Sequence, residues 1–161
     1  MEEEIINSYL TFRVNGGTYG VHVSRVVEIL AYDAPKAKAG DVDFILGLIE
    51  HRGQVVPLID SGKKFDVGST KLTEQTYVIV IEVEDKGGKF DVALAVDEVS
   101  EVMEITEETK KEIETSYKPG YIDFAAEISG GLALIINPDK VFTNSEVVSM
   151  SKFIGGVKET K

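Results

Sequence analysis

The chain reads as an all-β protein made of two copies of a small barrel, with short helices. Three observations lead there. Apolar strand-like runs dominate, turns of the Asn-Gly and Gly-Gly kind separate them, and the order of segments in the first half returns in the second. With 161 residues, 43% of them hydrophobic and 28% charged, the chain can bury a substantial core and is too apolar for disorder.

From the N-terminus, Tyr9 to Val14 alternates, with Leu10, Phe12 and Val14 on one face. Thr18 to Val23 alternates again through Tyr19, Val21 and Val23. Between them Asn15-Gly16-Gly17 supplies the positive φ angles of a tight hairpin. Ser24 offers a capping oxygen to a helical turn over Arg25 to Leu30, where Val26, Ile29 and Leu30 fall at helical spacing. Phe44 to Ile49 and Val55 to Ile59 form a second hairpin around Arg52-Gly53, and Tyr77 to Val83 with Phe90 to Val96 a third. Glu98 to Ile105 matches neither period, Leu132 to Ile136 is a short buried strand, and Lys64 to Thr76 and Thr106 to Gly120 read as connections. Thr143-x-x-Glu146 is a capping box opening a C-terminal helix that should stop near Gly155-Gly156.

The halves align. Val23-Ser24-Arg25-Val26-Val27-Glu28-Ile29 matches Val96-Asp97-Glu98-Val99-Ser100-Glu101-Val102. Gly53 to Asp60 matches Gly130 to Asn137, and the register continues to Lys63 with Lys140 and Phe65 with Phe142. Strands this few and short in each half close into a barrel to remove their edges, leaving an apolar groove between the two.

Composition removes whole classes of function. A net charge of -11 opposes nucleic acid and an anionic membrane surface. Without cysteine there is no disulfide framework, thiol nucleophile or thiolate metal site, which fits the cytoplasm. The acidic start Met1-Glu2-Glu3-Glu4 is unlike a signal peptide, and no apolar run reaches the roughly 18 residues of a membrane span. His22 and His51 stand alone and read as surface or rim residues, so no metal site is expected. No two glycines are spaced G-x-G, so nucleotide binding and other cofactors have no support. The pairs Ser61-x-x-Lys64 and Ser149-x-x-Lys152 lack the companion motifs of acyl transfer, and the carboxylates from Asp97 to Glu114 read as a solvated face. No catalytic residue emerges.

The placed segments carry a resemblance. Tyr9-Leu10-Thr11-Phe12-Arg13, Tyr19-Gly20-Val21, Val26-Val27-Glu28-Ile29, Gly47-Leu48-Ile49-x-x-Arg52-Gly53-x-Val55-Val56-Pro57-Leu58-Ile59-Asp60 and Val96-Asp97-Glu98-Val99 stand in the order and spacing of CheW-like chemotaxis adaptors. The resemblance implies one CheW-like domain over 8–142, with SH3-like lobes of about five strands each at 15–75 and 76–142 plus an N-terminal strand. A helical tail occupies 143–161. It further implies a non-catalytic scaffold coupling the cytoplasmic tip of a chemoreceptor to the regulatory domain of the histidine kinase CheA, recruited to receptor arrays through these partners without direct membrane contact.

A receptor helix in the groove needs spaced apolar anchors, and Leu10, Val23, Val26, Ile29 and Val99 match the family positions. By the same resemblance Arg52 pairs with Glu28, and Gly47 and Gly53 shape the surface. Three departures stand out: Asp60-Ser61-Gly62-Lys63 where Asp-Leu-Arg is common, Glu50 for a frequent asparagine, and Asn137-Pro138 for a frequent aspartate. They support, as a second reading, a divergent receptor-specific paralogue without strong kinase coupling. A small-barrel ligand or nucleic-acid module comes after it, disfavoured by charge and by the lack of a basic, aromatic stripe.

Overall fold

The computed structural model describes residues 6–33, 35, 37–38, 42–114, 116 and 118–159. Strands β1 (Ser8–Val14) and β2 (Gly17–His22) form the expected hairpin, with Asn15 and Gly16 at φ 45° and 86° in the turn. A 3-10 turn (Val23–Arg25) leads to β3 (Val26–Ala31), followed by β4 (Ala37–Lys38), β5 (Ile45–His51), β6 (Gln54–Asp60) and the short helix α1 (Ser61–Lys64). The second half brings β7 (Tyr77–Asp85), β8 (Gly88–Val96), β9 (Glu98–Glu104), β10 (Lys110–Lys111), β11 (Ile122–Ile128) and β12 (Gly131–Ile136). Helices α2 (Pro138–Val141) and α3 (Asn144–Glu159) close the chain.

Two local expectations fail. Arg25 to Leu30 is not a helix: β3 pairs antiparallel with β7, and the cap of the preceding 3-10 turn is His22, whose Nδ1 accepts from the Ser24 N–H at 3.1 Å. The capping box of α3 forms, Thr143 N–H donating to Glu146 Oε1 at 2.8 Å and Glu146 N–H to Thr143 Oγ1 at 3.1 Å. The helix nevertheless passes through Gly155-Gly156 to Glu159.

The strands make two six-stranded sheets, in the orders β10-β11-β12-β2-β1-β9 and β3-β7-β8-β6-β5-β4. Each sheet thus combines the first hairpin of one half with the last four strands of the other. Lobes at 15–75 and 76–142 therefore match neither sheet, and each sheet has five longer strands and one of two residues, β4 or β10, in keeping with about five strands each. The duplication itself is exact in topology, since β12 runs parallel to β2 as β6 runs parallel to β8. Even the irregularities repeat: β3 shifts register against β7 between Val26 and Glu28, and β9 shifts against β1 between the partners of Leu10 and Phe12.

Packing explains the continuous apolar runs. Along β7, Ile79, Ile81 and Val83 enter a large core between the sheets, while Val78 and Val80 enter a second cluster belonging to their own sheet. That second cluster also takes Val27 and Leu30 of β3 and Leu46 and Ile49 of β5, strands far apart in the sheet order, so the sheet curls round it. A smaller cluster with Ala126, Ala133 and Ile135 plays this part in the other sheet. No strand pairing seals either seam among the described residues.

Polar clamps tie the sheets together. The Arg25 guanidinium grips both carboxylate oxygens of Asp139 on α2 and donates to the Glu82 carbonyl at 2.9 Å, while Asp139 Oδ1 accepts from the Glu84 N–H at 2.8 Å. The Arg25 hydrogen bond holds the Asp139 carboxyl below its ordinary range. Across the molecule the Asn15 side-chain amide donates to the carbonyls of Val67, Gly68 and Ser69.

The unusual Ser61-Gly62 pair has a local cause. Asp60 Oδ1 accepts from the N–H groups of Lys63 and Thr70 at 3.1 and 3.0 Å, folding the segment after α1 back onto the helix. The fold-back leaves no room at Gly62, where a Cβ would lie 1.9 Å from the Gly68 carbonyl oxygen. Gly62→Ala should therefore destabilise the protein by about 1–3 kcal/mol, the range of a local overpacking strain, read as a lower melting temperature. Gly130→Ala, with open space around it, provides the comparison for a residue of positive φ without a clash.

Candidate functional site

The bulge in β3 sorts its side chains. Residues directly opposite in an antiparallel pair share a face, so Val26 opposite Ile81 and Ile29 opposite Ile79 face the inter-sheet core. Glu28, opposite Val80, is turned to the other face, over the mouth of the curled sheet. There it meets the β5–β6 turn. His51 Nε2 lies 2.8 Å and Arg52 Nη2 3.1 Å from the same carboxylate oxygen, Oε1 of Glu28. The carboxylate has no proton to give, so the imidazole donates from Nε2. This bond, first, and the Arg52 charge hold the Glu28 carboxyl below its ordinary range, against the opposing effect of desolvation.

Exposure divides the three residues. The His51 side chain is 6% exposed, Glu28 37% and Arg52 67%, so a buried base, a half-covered acid and an open guanidinium form one line from interior to solvent. His51 is thus not a rim residue: its side chain is buried, with Nε2 against the Glu28 carboxylate. The network spans β3 and the end of β5, which the sheet order separates, and so bridges the open seam with side chains. The turn itself is strained: Arg52 sits at φ 53° and Gly53 at φ 79°, in a two-residue reversal where the first hairpin uses Asn15 and Gly16.

The other expected residues scatter. Leu10 is 4% exposed and belongs to the inter-sheet core, against which Val26 and Val99 are also packed. Ile29 is 43% exposed, Val23 is half-buried in the 3-10 turn, and Gly47 lies buried at a register shift in β5. The interior between the lobes is packed: Phe12, Ile45, Ile59, Ile79, Ile81, Leu94 and Ile122 lie there with almost no exposure, and more exposed apolar side chains lie at its rim. On that rim Val102, 58% exposed opposite Leu10, is the counterpart of Ile29 that the sequence reading left out, although its place in the repeat marked it. A cavity of about 410 Å³ under α3, lined by Val55, Pro57, Phe90, Val147, Met150 and Ile154 among others, contains none of the expected site residues.

Among the described residues no three His, Asp or Glu side chains gather to hold a metal, and no helix is long and apolar enough to cross a membrane.

Comparison with known proteins decides the family. The CheW-like domain pattern matches residues 8–146. The chain belongs to the CheW-like domain family. Chemotaxis protein CheW of Klebsiella aerogenes is 28% identical over 148 residues, covering 90% of this chain and 87% of that protein. Chemotaxis protein CheW of Bacillus subtilis is 32% identical over 98 residues, covering 61% and 60%. In structure, the scaffolding protein TtCheW of Thermoanaerobacter tengcongensis superposes with a TM-score of 0.72 at 24% identity, covering 85% of this chain and 88% of that one, which establishes the shared CheW fold. Mostly β architecture, two sheets and few short helices agree with that assignment.

Two outcomes follow from the geometry of this CheW-like site. Arg52→Asn and Arg52→Ala both delete the guanidinium, but only asparagine tolerates the left-handed conformation. The asparagine variant should be the more stable by about 1 kcal/mol in denaturant unfolding. Because the folded Glu28 carboxyl titrates below its unfolded value, its contribution is present above about pH 4.3 and fades as pH falls through the folded value. The melting-temperature difference between wild type and Glu28→Gln should accordingly shrink on acidification from about pH 5.

Proposed function

We propose that this CheW-like chain is a non-catalytic adaptor that couples the cytoplasmic tips of chemoreceptors to the regulatory domain of the histidine kinase CheA. Membership of the family and the names of its relatives, chemotaxis and scaffolding proteins, support the general role. The observation that carries the finer reading is the one-sided polar network. The fold is duplicated, yet where the first lobe has Glu28, His51 and Arg52, the second has Glu101, Ile128 and Ser129. An arrangement the second lobe folds without is not demanded by the fold. An outward arginine on a strained turn has the composition of an interface anchor.

On this reading the rim carrying Ile29, Val26, Val99 and Val102 takes an apolar stripe of the receptor helix, with Leu10 and Val23 supporting it from beneath. The Arg52–Gly53 turn, aligned by Glu28 and given its shape through Gly47 and Gly53, faces a protein partner. The adaptor works in the cytoplasm, reaching the membrane only through its receptor. Its acidic charge keeps it off nucleic acid and anionic lipid.

The test is reconstitution. Kinase activity should rise when the wild-type chain is added to CheA and a receptor-tip fragment. Arg52→Ala should lower affinity for at least one partner about fivefold or more, as befits an interface arginine. A wild-type chain that binds neither CheA nor receptor would overturn the reading. Receptor binding without kinase stimulation would identify the receptor-specific paralogue instead.

A further inference from the structure

We propose that His51 is a positioning residue, whose buried imidazole holds the Glu28 carboxylate where it orders the exposed Arg52 guanidinium before any partner arrives. The inference rests on the adaptor reading and deepens it. Exposed ion pairs are weak because two flexible side chains must be fixed at once, so a lone Glu28–Arg52 contact would spend much of its time open. His51 changes that balance. Its ring is immobilised by burial, and it donates to Glu28 Oε1 at 2.8 Å, the oxygen that also faces Arg52 Nη2 at 3.1 Å. One of the two partners is then fixed in advance, and only Arg52 has to find its place.

The repeat supplies an internal control. His51 opposes Gln54 at the end of the β5–β6 ladder as Ile128 opposes Gly131 at the end of β11–β12. Ile128 packs on its own lobe's core, and among the described residues Glu101 makes its contacts through its backbone, with the Thr11 hydroxyl, rather than through its carboxylate. An apolar residue therefore satisfies the packing at this position, and the imidazole is required only for what its Nε2–H does. The His51 hydrogen bond, with the Arg52 charge beside it, holds the Glu28 carboxyl below its ordinary range.

The experiment compares His51→Ile, which copies the second repeat, with His51→Gln, which keeps a side-chain N–H donor. Glu28 is followed by carboxyl nuclear magnetic resonance titration, and affinity is measured for the partner that Arg52→Ala weakens. His51→Ile should fold, move the Glu28 midpoint up towards that of a free glutamate, and lower affinity about threefold to tenfold, the effect of one hydrogen bond. His51→Gln should recover part of both. An unchanged Glu28 midpoint or unchanged affinity in His51→Ile would overturn the proposal. Failure of that variant to fold would overturn it too, since the imidazole would then be a packing residue. If the wild-type chain binds neither partner, the adaptor reading falls alone and the Glu28 titration still decides whether His51 holds the carboxylate.

Discussion

After β2, and again after β8, the chain leaves the sheet it has begun and crosses to the other, and everything else in the molecule depends on these two crossings. They place β3 beside β7 and β9 beside β1, so the third strand of each half completes the lobe founded by the hairpin of the other. Neither half can bury its hairpin alone. The two halves of the chain are joined by backbone ladders within each lobe, while the lobes themselves pack face to face and the space between them becomes core. With backbone exchanged in both directions, side chains such as Phe12 and Ile81 meet between the lobes and fill that space.

Inside this scaffold the pseudo-symmetry separates what folding needs from what it does not. Both repeats keep the bulged third strand, the ladder ending in a Gly turn, and a side-chain oxygen capping the next helix, from Asp60 before α1 and Asn137 before α2. Those features are structural. Two differences stand out. One is the mouth with Glu28, His51 and Arg52. The other is the seat of Lys64, whose ammonium lies 5.5–6.0 Å from the rings of Phe44, Tyr121 and Phe142 and 3.3 Å from Glu146 Oε1, where the second repeat has Val141. Lys64 joins aromatic residues of both lobes to the capping residue of α3, and so the C-terminal helix, which has no counterpart in the first half, is tied to the junction.

Much of this was legible in the residues. Hairpins announced themselves through turn chemistry at Asn15-Gly16 and Arg52-Gly53, and the family was readable because its residues keep their order and spacing. The third strand was not, for a physical reason. A bulge adds one residue, so Val26 and Ile29 share a face three positions apart, which imitates the i, i+3 spacing of a helix; Val99 and Val102 repeat the effect and blur Glu98 to Ile105. The strand exchange leaves no local trace, since a sequence repeat is the same whether its units close on themselves or on each other. From sequence His51 reads as a surface or rim residue, because its burial depends on β3 and β5 meeting across a seam, a contact no periodicity encodes. The Glu28–Arg52 pairing came from the family resemblance, whereas its third member came only from the fold.

The energetics of that seam argue for its role. Bridging β3 and β5 with an ion pair stabilises the lobe little, because Arg52 is largely in solvent and an exposed pair contributes about 0–1 kcal/mol. Against it stands the left-handed backbone at Arg52, which costs a non-glycine residue about 1–2 kcal/mol and which asparagine tolerates far better in the first hairpin. The two terms nearly cancel or leave a deficit. A turn optimised for stability would carry Asn-Gly and close the seam with apolar contacts, as Ile128 shows to be feasible. What the strained arginine supplies is direction: a guanidinium held away from the sheet, with its anion in contact with a buried ring, which is the arrangement the proposed adaptor surface requires.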